Sequence, residues 1–339
     1  MIINAKSPCR VDLAGGTLDI WPLYLYHANA VTVNFAVDRY TSCELRTRSD
    51  RKIILRSADQ KGEESFDSFE SLAGATRYKL PLAAYVVRHF RPETGIELST
   101  NSEAPAGAGI SGSSSLIITI ASALNKLTGA GHNIEQIREI GQNIEAQIIR
   151  VPTGCQDYYP AMYGGVGAVE LTVAGIRRRP IQVDLDDFNS RAVLAYSGKP
   201  RNSGINNWEV TKAHIDGDKT VFRNFERIAQ IAHALRGALE RADWAEVARL
   251  IREEWSNRRK NAPGITTPLI DRLIEATRKT GARAAKVCGA GGGGCVFFLV
   301  EPDAKQRVQE TIEAEGAEVL HTSVAPRGIR LKVDPAGSA

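Results

Sequence analysis

Two loops rich in glycine and serine are the parts of this sequence best suited to chemistry. The first runs from Pro105 to Ser115 (PAGAGISGSSS) and the second from Gly289 to Gly294 (GAGGGG). Small residues leave backbone N–H groups bare, so the chain can close around an anion. The first loop continues into an apolar, helix-forming stretch, and a helix N-terminus favours phosphate. We therefore predict that this loop binds phosphate; two tight turns are the alternative.

Two familiar phosphate motifs do not fit these loops. Both loops satisfy G-x-G-x-x-G, but a dinucleotide-binding loop follows a strand directly and opens a helix. Pro105 intervenes before the first loop, and a strand-like run, CVFFLV, follows the second. No lysine precedes the serines from Ser113 to Ser115, as the P-loop pattern requires. The first loop is therefore a phosphate loop of another kind.

Carboxylates on either side of a predicted helix end at Pro152 could assist phosphoryl transfer. Glu145 lies on a predicted helix, and Gln156 and Asp157 follow the break at Pro152. A chain reversal there lets a helix carboxylate and a loop carboxylate converge. Phosphoryl transfer uses such a pair, one carboxylate for Mg²⁺ and another near the attacking hydroxyl. An ordinary surface position is the alternative for Glu145.

The segment from Arg10 to Asp19 (RVDLAGGTLD) combines a cation, a Gly-Gly turn and two carboxylates within ten residues. That combination suits recognition of hydroxyl groups beside a phosphate. A strand that ends in a turn, with Asp12 and Asp19 in solvent, explains the segment equally well.

Three further polar segments have simpler explanations. The loop from Tyr196 to Asn206 could bind sugar hydroxyls or a phosphate through Lys199, Arg201 and Ser203, or it could be a plain surface loop. Basic runs at Arg177 to Arg179 and at Arg258 to Lys260 are typical of the solvated ends of helices and strands. We assign no function to these two runs.

The elements that must position these residues alternate without strict βα order, which predicts an α+β fold. Short β-type runs alternate with polar turns in the first hundred residues, so a sheet is expected there. Asn133 and Gln136 form a capping pattern at the start of one helix. Helices are predicted over 76–90, 114–128, 134–150, 221–241, 244–257, 268–280 and from 303, and strands include 179–185. We place the boundary between an N-terminal domain, 1–188, and a C-terminal domain, 189–339, near Asp187 to Arg191.

Composition narrows the class of protein. The chain has 339 residues, 24% charged and 43% hydrophobic, with a net charge of +4, which is typical of a globular protein with small anionic ligands and gives no support to nucleic acid. Five scattered cysteines predict free thiols in a reducing cytoplasm. The six histidines form no H-x-H or H-x-x-x-H cluster, which argues against a zinc site. No leader or apolar span is evident, so we expect a cytoplasmic protein without a membrane partner.

Taken together, these segments resemble the three signature motifs of the GHMP kinase superfamily, in the expected order and across nearly the whole chain. RVDLAGGTLD resembles the first motif of sugar 1-kinases, PAGAGISGSSS the second motif with one extra residue, and GAGGGGC the third. The A-G-G turn, the QDYYPAMYGG segment, the Y-S-G-x-x-R-x-S loop and the GARAAKVCGAGGGG run are most similar to bacterial heptose phosphate kinases. Fucokinases share the R-x-D-L-A-G-G start.

The resemblance implies a ribosomal-S5-like N-terminal domain and a ferredoxin-like C-terminal domain, with ATP and a sugar between them. Asp157 would be the base or charge stabiliser beside the sugar hydroxyl, and Arg10 would keep it ionised and offset charge in the transition state. Glu145 and Ser114 (or Ser113) would hold Mg²⁺. The ATP phosphates would bind at Pro105, Gly107, Ala108, Gly109, Ser111, Gly112, Ser113 and Ser114. The sugar would bind at Asp19, Gly15, Gly16, Gln156, Arg201, Gly291 and Gly292.

Three departures from the family pattern concern the sugar pocket. Thr17 and Leu18 replace a glycine and a threonine of related kinases, and Ser111 replaces a glycine. We therefore expect an ATP-dependent, Mg²⁺-assisted sugar kinase acting on the anomeric hydroxyl of a heptose 7-phosphate. A fucokinase-like or other sugar 1-kinase is the alternative, and a non-catalytic sensor of sugar and ATP is disfavoured because both Glu145 and Asp157 are present. The sequence leaves a homodimer open.

Overall fold

The computed structural model describes residues 1–198, 203–261 and 263–334, and these contain two β-sheets. The first sheet has eight strands. They are β1 (Ile2–Ala14), β2 (Val31–Arg48), β3 (Ile53–Ser57), β4 (Gly62–Phe66), β5 (Gly95–Ser102), β6 (Val166–Thr172), β7 (Gly175–Pro180) and β12 (Arg330–Asp334).

The two longest strands organise the first sheet. Its order is β12-β1-β2-β5-β3-β4, and β2 also pairs with β6, which pairs with β7. Residues 41–48 of β2 face β5, whereas residues 31–35 face β6. All pairs are antiparallel except β3 with β5. The register of β1 against β2 shifts between Asp12 and Ala14, where the first candidate motif begins its turn.

Helices pack on the first sheet around an apolar core. They are α1 (Phe69–Gly74), α2 (Pro81–Phe90), α3 (Gly112–Thr128), α4 (Ile134–Ile149) and α5 (Tyr159–Tyr163), with 3-10 turns at Leu23–Tyr26 and Gln156–Tyr158. Residues of α3 such as Ile117, Ile120 and Leu124 are fully buried in this core. The predicted capping box of α4 is confirmed, because Asn133 and Gln136 each bond the other's backbone N–H.

The second sheet has the order β11-β8-β10-β9, all antiparallel. Its strands are β8 (Ala192–Tyr196), β9 (Ala282–Val287), β10 (Cys295–Val300) and β11 (Glu318–Leu320). Helices lie between β8 and β9 and between β10 and β11, which gives the βαββαβ arrangement of a ferredoxin-like unit. The predicted form of the C-terminal half is thus observed.

The remaining helices are α6 (Leu185–Arg191), α7 (Ser203–Ile215), α8 (Lys219–Glu240), α9 (Trp244–Arg258), α10 (Pro268–Thr280) and α11 (Lys305–Ala314). Apolar residues of α8 and α9, such as Leu235 and Ile251, share one core with Val11 of β1 and Phe297 of β10. This core joins the two sheets. His214 of α7 lies with its Nε2 atom 2.8 Å from Nε2 of His27, which fixes α7 beside the turn at Leu23–Tyr26.

Some local predictions are wrong. Residues 179–185 do not form one strand: β7 ends at Pro180, and Asp184 caps α6 by accepting bonds from the N–H groups of Asp186 and Asp187. A strand-like apolar pattern cannot compete with such a cap. The helix predicted from residue 76 begins at Pro81, because proline favours the first helical turn. The boundary near residue 188 remains a prediction.

Within the described residues, no helix has the length and apolarity needed to cross a membrane.

Candidate active site

A cleft of about 750 Å³ brings together the separate motifs that the sequence singled out. Its walls come from the first motif, the first glycine loop, α4, the segment after Pro152, the end of α9 and the second glycine loop. The predicted residues on these walls are Arg10, Gly16, Asp19, Pro105, Gly107, Ala108, Gly109, Ser111, Gly112, Ser113, Glu145, Gln156 and Asp157.

The first glycine loop ends at the N-terminus of α3, as predicted. Ser111 adopts a left-handed conformation (φ 58°, ψ 41°) and makes no side-chain cap on the helix. Its hydroxyl is buried and has no partner within the described residues. Helix N-terminal N–H groups that no side chain caps are a binding site for phosphate.

The loop is fixed from both sides by backbone contacts. The backbone N–H of Arg10 donates to the carbonyl oxygen of Ile110 (2.9 Å), and that of Cys295 donates to Ala108 (2.6 Å). A Cβ atom on Gly294 would lie 2.6 Å from the carbonyl oxygen of Ala108. The two glycine loops therefore touch, and Gly294 is needed for close approach rather than for ligand binding.

Asp157 lies on the 3-10 turn after Pro152 and is held by Arg10. The Nε and Nη2 atoms of Arg10 donate to Oδ1 of Asp157 at 2.9 and 2.6 Å. Arg10 also donates through Nη1 to the carbonyl oxygen of Gly109 (2.8 Å), so one guanidinium joins Asp157 to the phosphate loop. Burial lowers the pKa of Arg10, but Asp157 and Asp12 outweigh burial and raise it above its usual value. Arg10 is therefore charged, and Asp157 is partly open to the cleft.

Glu145 of α4 contacts the serines at the start of α3. Ser113 and Ser114 donate from their hydroxyls to its two carboxylate oxygens, at 2.5 and 3.0 Å, and the hydroxyl of Tyr158 donates as well. Burial raises the pKa of Glu145, and these hydroxyl groups oppose that shift. Residues from three elements thus assemble a set of oxygen atoms beside the phosphate loop.

Asp19 is buried at the end of the first motif rather than solvated. Its Oδ2 atom accepts a bond from the backbone N–H of Gln156 (2.8 Å). A Cβ atom on Gly154 would lie 2.1 Å from the same oxygen, so only glycine allows this approach. Burial, and next the negative charge of Asp157, raise the pKa of Asp19 to about 7. Asp19 therefore gains or loses its proton near neutrality.

The sequence analysis missed a buried ionic cluster centred on Asp12, which we call the Asp12 cluster (Asp12, Glu254, Arg258 and Lys286). Lys286 donates to Asp12 Oδ2 at 2.7 Å, Arg258 donates to the same oxygen at 3.2 Å, and the N–H of Gly289 donates to Oδ1 at 2.8 Å. Burial opposes ionisation, but Lys286, Arg258 and Arg10 outweigh it and hold the pKa of Asp12 well below its usual value.

The prediction that Arg258 is a solvated helix end is wrong. Arg258 is 4% exposed and lines the cleft, because Glu254 on the same helix and Asp12 on β1 both neutralise its charge. The alternative that Asp12 and Asp19 are solvated is also wrong. One sequence signal was available: Lys286 lies between apolar residues (AAKV) near the end of β9, where a buried, unpaired lysine would be costly.

Three glycines predicted to bind the sugar do not line the cleft. A Cβ atom on Gly15 would lie 2.2 Å from the carbonyl oxygen of Val31, and one on Gly291 would lie 2.5 Å from that of Ile265. The N–H of Gly292 donates to Ile265 as well (2.8 Å). These glycines pack against neighbouring backbone, and Gly289 and Ala290 line the cleft instead. Arg201 lies outside the described residues.

Comparison with known proteins identifies this arrangement. Residues 78–165 match the sequence model of the GHMP kinases N terminal domain, and residues 235–318 match that of the GHMP kinases C terminal. Together the matches span just over half of the chain, and the first covers the phosphate loop, Glu145 and Asp157. The chain belongs to the GHMP kinase family. It is therefore a kinase that transfers a phosphoryl group to an alcohol, and ATP is the donor that this family uses.

Relatives of this GHMP kinase include sugar kinases. A D-glycero-alpha-D-manno-heptose 7-phosphate kinase from Campylobacter jejuni is 26% identical over 335 residues, which cover 97% of this chain and 98% of the relative. An L-fucokinase/L-fucose-1-P guanylyltransferase from Bacteroides fragilis is 25% identical over 92% of this chain but only 36% of its own length.

A solved structure of a D-glycero-D-manno-heptose 1-phosphate kinase from Bacteroides thetaiotaomicron superposes with a TM-score of 0.79 at 22% identity, covering 98% of this chain and 100% of that one. The predicted two-domain GHMP kinase fold is confirmed.

The Asp12 cluster makes a prediction about stability. Asp12→Asn leaves the two buried cations, Lys286 and Arg258, with one carboxylate, Glu254, instead of two, so the free energy of unfolding should fall by about 3–5 kcal/mol in urea titrations at pH 7. The control is Glu70→Gln, which breaks an exposed pair with Arg51 (3.3 Å) and should cost about 0–1 kcal/mol. A loss below 1 kcal/mol for Asp12→Asn would show that the cluster does not hold the fold.

The raised pKa of Asp19 leads to a prediction about how stability depends on pH. Its folded pKa of about 7 lies above the unfolded value of about 3.9, so the wild type loses stability as the pH rises between these values. Asp19→Asn removes the titration. The variant should unfold at a higher temperature than the wild type at pH 8, and this advantage should grow from pH 4 to pH 7 and then level off. Exposed Asp67→Asn should show no such trend. A lower unfolding temperature for Asp19→Asn at pH 8 would contradict the assignment.

Proposed function

We propose that this GHMP kinase transfers the γ-phosphoryl group of ATP to the anomeric hydroxyl of a heptose 7-phosphate. The observation that carries the proposal is the Arg10–Asp157 ion pair, which opens on the same cleft as the N-terminus of α3 and the Glu145 carboxylate. The full-length similarity to the Campylobacter jejuni heptose 7-phosphate kinase supports the choice of sugar. A fucose-type sugar is the second candidate, because the Bacteroides fragilis relative aligns with nearly the whole chain.

In this proposal, different residues of the cleft bind the ATP phosphates, orient the sugar hydroxyl and stabilise charge. The backbone between Gly107 and Ser113 binds the ATP phosphates at the start of α3. Asp157 accepts a hydrogen bond from the sugar hydroxyl and orients its oxygen toward the γ-phosphorus. As that oxygen bonds to phosphorus, its proton passes to Asp157 or to the transferred phosphoryl group, and the bond from phosphorus to the bridging oxygen breaks so that ADP leaves. Arg10 holds Asp157 in place through two hydrogen bonds and stabilises negative charge on the transferring group.

The residues around Glu145 fit a magnesium ion. Mg²⁺ prefers oxygen ligands and commonly binds through one or two carboxylates together with substrate phosphates. Glu145 with the hydroxyls of Ser113 and Ser114 supplies such oxygens. Within the described residues no group of three or more acidic, histidine or cysteine side chains could hold a metal alone, so the nucleotide must complete the site. When bound, the ion neutralises charge on the ATP phosphates.

The proposal predicts the effect of removing Asp157. Asp157→Ala should lower kcat with ATP and heptose 7-phosphate by at least about a hundredfold, because the nucleophile loses its orienting group. Affinity for ATP should stay close to the wild-type value, since the phosphate loop is unchanged. The matched control is Asp67→Ala at an exposed position. Turnover should be measured against a panel that includes fucose and galactose. A wild-type rate in Asp157→Ala, or turnover of fucose alone, would contradict the proposal.

The magnesium assignment predicts a second effect. Glu145→Gln should weaken Mn²⁺ binding at least about tenfold, measured by calorimetry on the complex with a non-hydrolysable ATP analogue. The Mg²⁺ concentration for half-maximal activity should rise in parallel. Glu139→Gln on the same helix, where the side chain is 66% exposed, is the control. Equal Mn²⁺ affinity in Glu145→Gln and the wild type would exclude Glu145 as a ligand.

A further inference from the structure

Arg258 is a buried cation that the roles above do not use. It stands at the end of α9 and lines the cleft. Its Nη1 atom donates to Asp12 Oδ2 (3.2 Å) and to the carbonyl oxygen of Gly289 (2.7 Å). Its Nη2 atom has no hydrogen-bond partner within the described residues, although the side chain is 5% exposed. A buried guanidinium N–H₂ group without an acceptor is costly, which points to a ligand.

Glycines and polar residues line the pocket beside Arg258, together with the aliphatic residues Val210 and Ile265. A Cβ atom on Gly16 would lie 2.1 Å from Nη2, so the glycine makes room for the guanidinium. Thr17, Asn207 of α7 and the Gly289–Ala290 backbone line the same part of the cleft. Thr17 and Asn207, which line this pocket with Arg258, carry a hydroxyl and an amide, and such donors suit an anion.

This part of the cleft lies away from the reacting end. Asp12 separates the two arginines: its Oδ1 atom is 3.7 Å from Arg10 and its Oδ2 atom is 3.2 Å from Arg258. Arg10 contacts Asp157 and the phosphate loop, whereas no residue around Nη2 belongs to that loop. An acceptor whose hydroxyl lies against Asp157 would extend from Arg10 toward Arg258. The nucleotide phosphates would bind the first glycine loop, on the Arg10 side of the cleft.

We propose that Arg258, with Thr17 and Asn207, forms a subsite for a phosphate group carried by the acceptor sugar. This inference rests on the proposed function and explains how the enzyme would select a phosphorylated sugar. The guanidinium is fixed in advance by Asp12, Glu254 and Gly289, so little side-chain entropy is lost when the phosphate binds.

Two variants test the subsite by different means. Arg258→Gln removes the charge, and Asn207→Asp places a negative charge beside the phosphate without disturbing the Asp12 cluster. In both, the KM for heptose 7-phosphate should rise about tenfold or more, as expected for loss of a charge-assisted bond. The ratio of kcat/KM for heptose 7-phosphate to that for the unphosphorylated heptose should fall by a similar factor, with the KM for ATP unchanged. The matched control is Arg259→Gln, whose side chain is 42% exposed.

The outcomes separate the sources of the anion. A rise in the KM for ATP that equals the rise for the sugar would assign Arg258 to the nucleotide and overturn the proposal. An equal loss of kcat/KM with both heptoses would show a purely structural role. A wild-type enzyme that does not prefer the phosphorylated heptose would also overturn the subsite.

Binding without turnover keeps the two proposals distinct. Heptose 7-phosphate should raise the unfolding temperature of the wild type, and of Asn207→Asp much less, even if no sugar is phosphorylated. That result would support the subsite while the proposed function fails. Equal shifts in the wild type and Asn207→Asp would exclude the subsite.

Discussion

Asp12 is a fully buried carboxylate on β1 whose contacts reach into the second sheet and the helix before it. It binds Lys286 of β9, Arg258 of α9 and the backbone of Gly289. A buried carboxylate with two cations is stable only while each charge keeps its partner. The cleft therefore cannot open or shift at this point without exposing a charge to an apolar core, and the two sheets are held in one relative position.

That constraint sets the position of Arg10, the arginine for which we propose a catalytic role. Arg10 lies two residues before Asp12 on the same strand, and its guanidinium reaches both Asp157 and the phosphate loop. Backbone hydrogen bonds also fix the first glycine loop, since the N–H of Arg10 donates to the carbonyl oxygen of Ile110 and that of Cys295 donates to the carbonyl oxygen of Ala108. Each link needs close approach, and Gly154 and Gly294 provide it because a side chain at either position would overlap a neighbour. Much of the glycine in the motifs thus serves packing around the site rather than ligand contact.

The sequence predicted the parts of the site that local chemistry determines. Small residues before a helix mark the predicted phosphate loop. Glu145 and Asp157 can converge because the helix ends before Pro152 and the chain reverses there. The sequence could not predict that Arg258 is buried, or that Gly289 and Ala290 line the cleft in place of Gly291 and Gly292. These features depend on contacts between residues far apart in the chain. A basic run after a helix is usually solvated, and only the position of Asp12 makes Arg258 an exception. The strand assigned to 179–185 failed for a similar reason, since the cap at Asp184 outweighs the apolar pattern.

Asp12 and Asp19 show how one short motif supplies two different carboxylates. Both are buried, and burial alone would raise both pKa values. Asp12 faces two cations from the C-terminal half of the chain, Lys286 and Arg258. They keep it ionised and make it part of the framework. For Asp19, burial and next the negative charge of Asp157 raise the pKa to about 7, and the backbone N–H of Gln156 opposes this only in part, so its charge is held at a cost to stability. A group that costs stability and lines the cleft is better explained by ligand binding than by folding, so we propose that Asp19 binds the acceptor, whereas Asp12 belongs to the scaffold. The Gly15–Gly16 turn between them separates these environments, since it takes the chain from the buried end of β1 to the wall of the cleft.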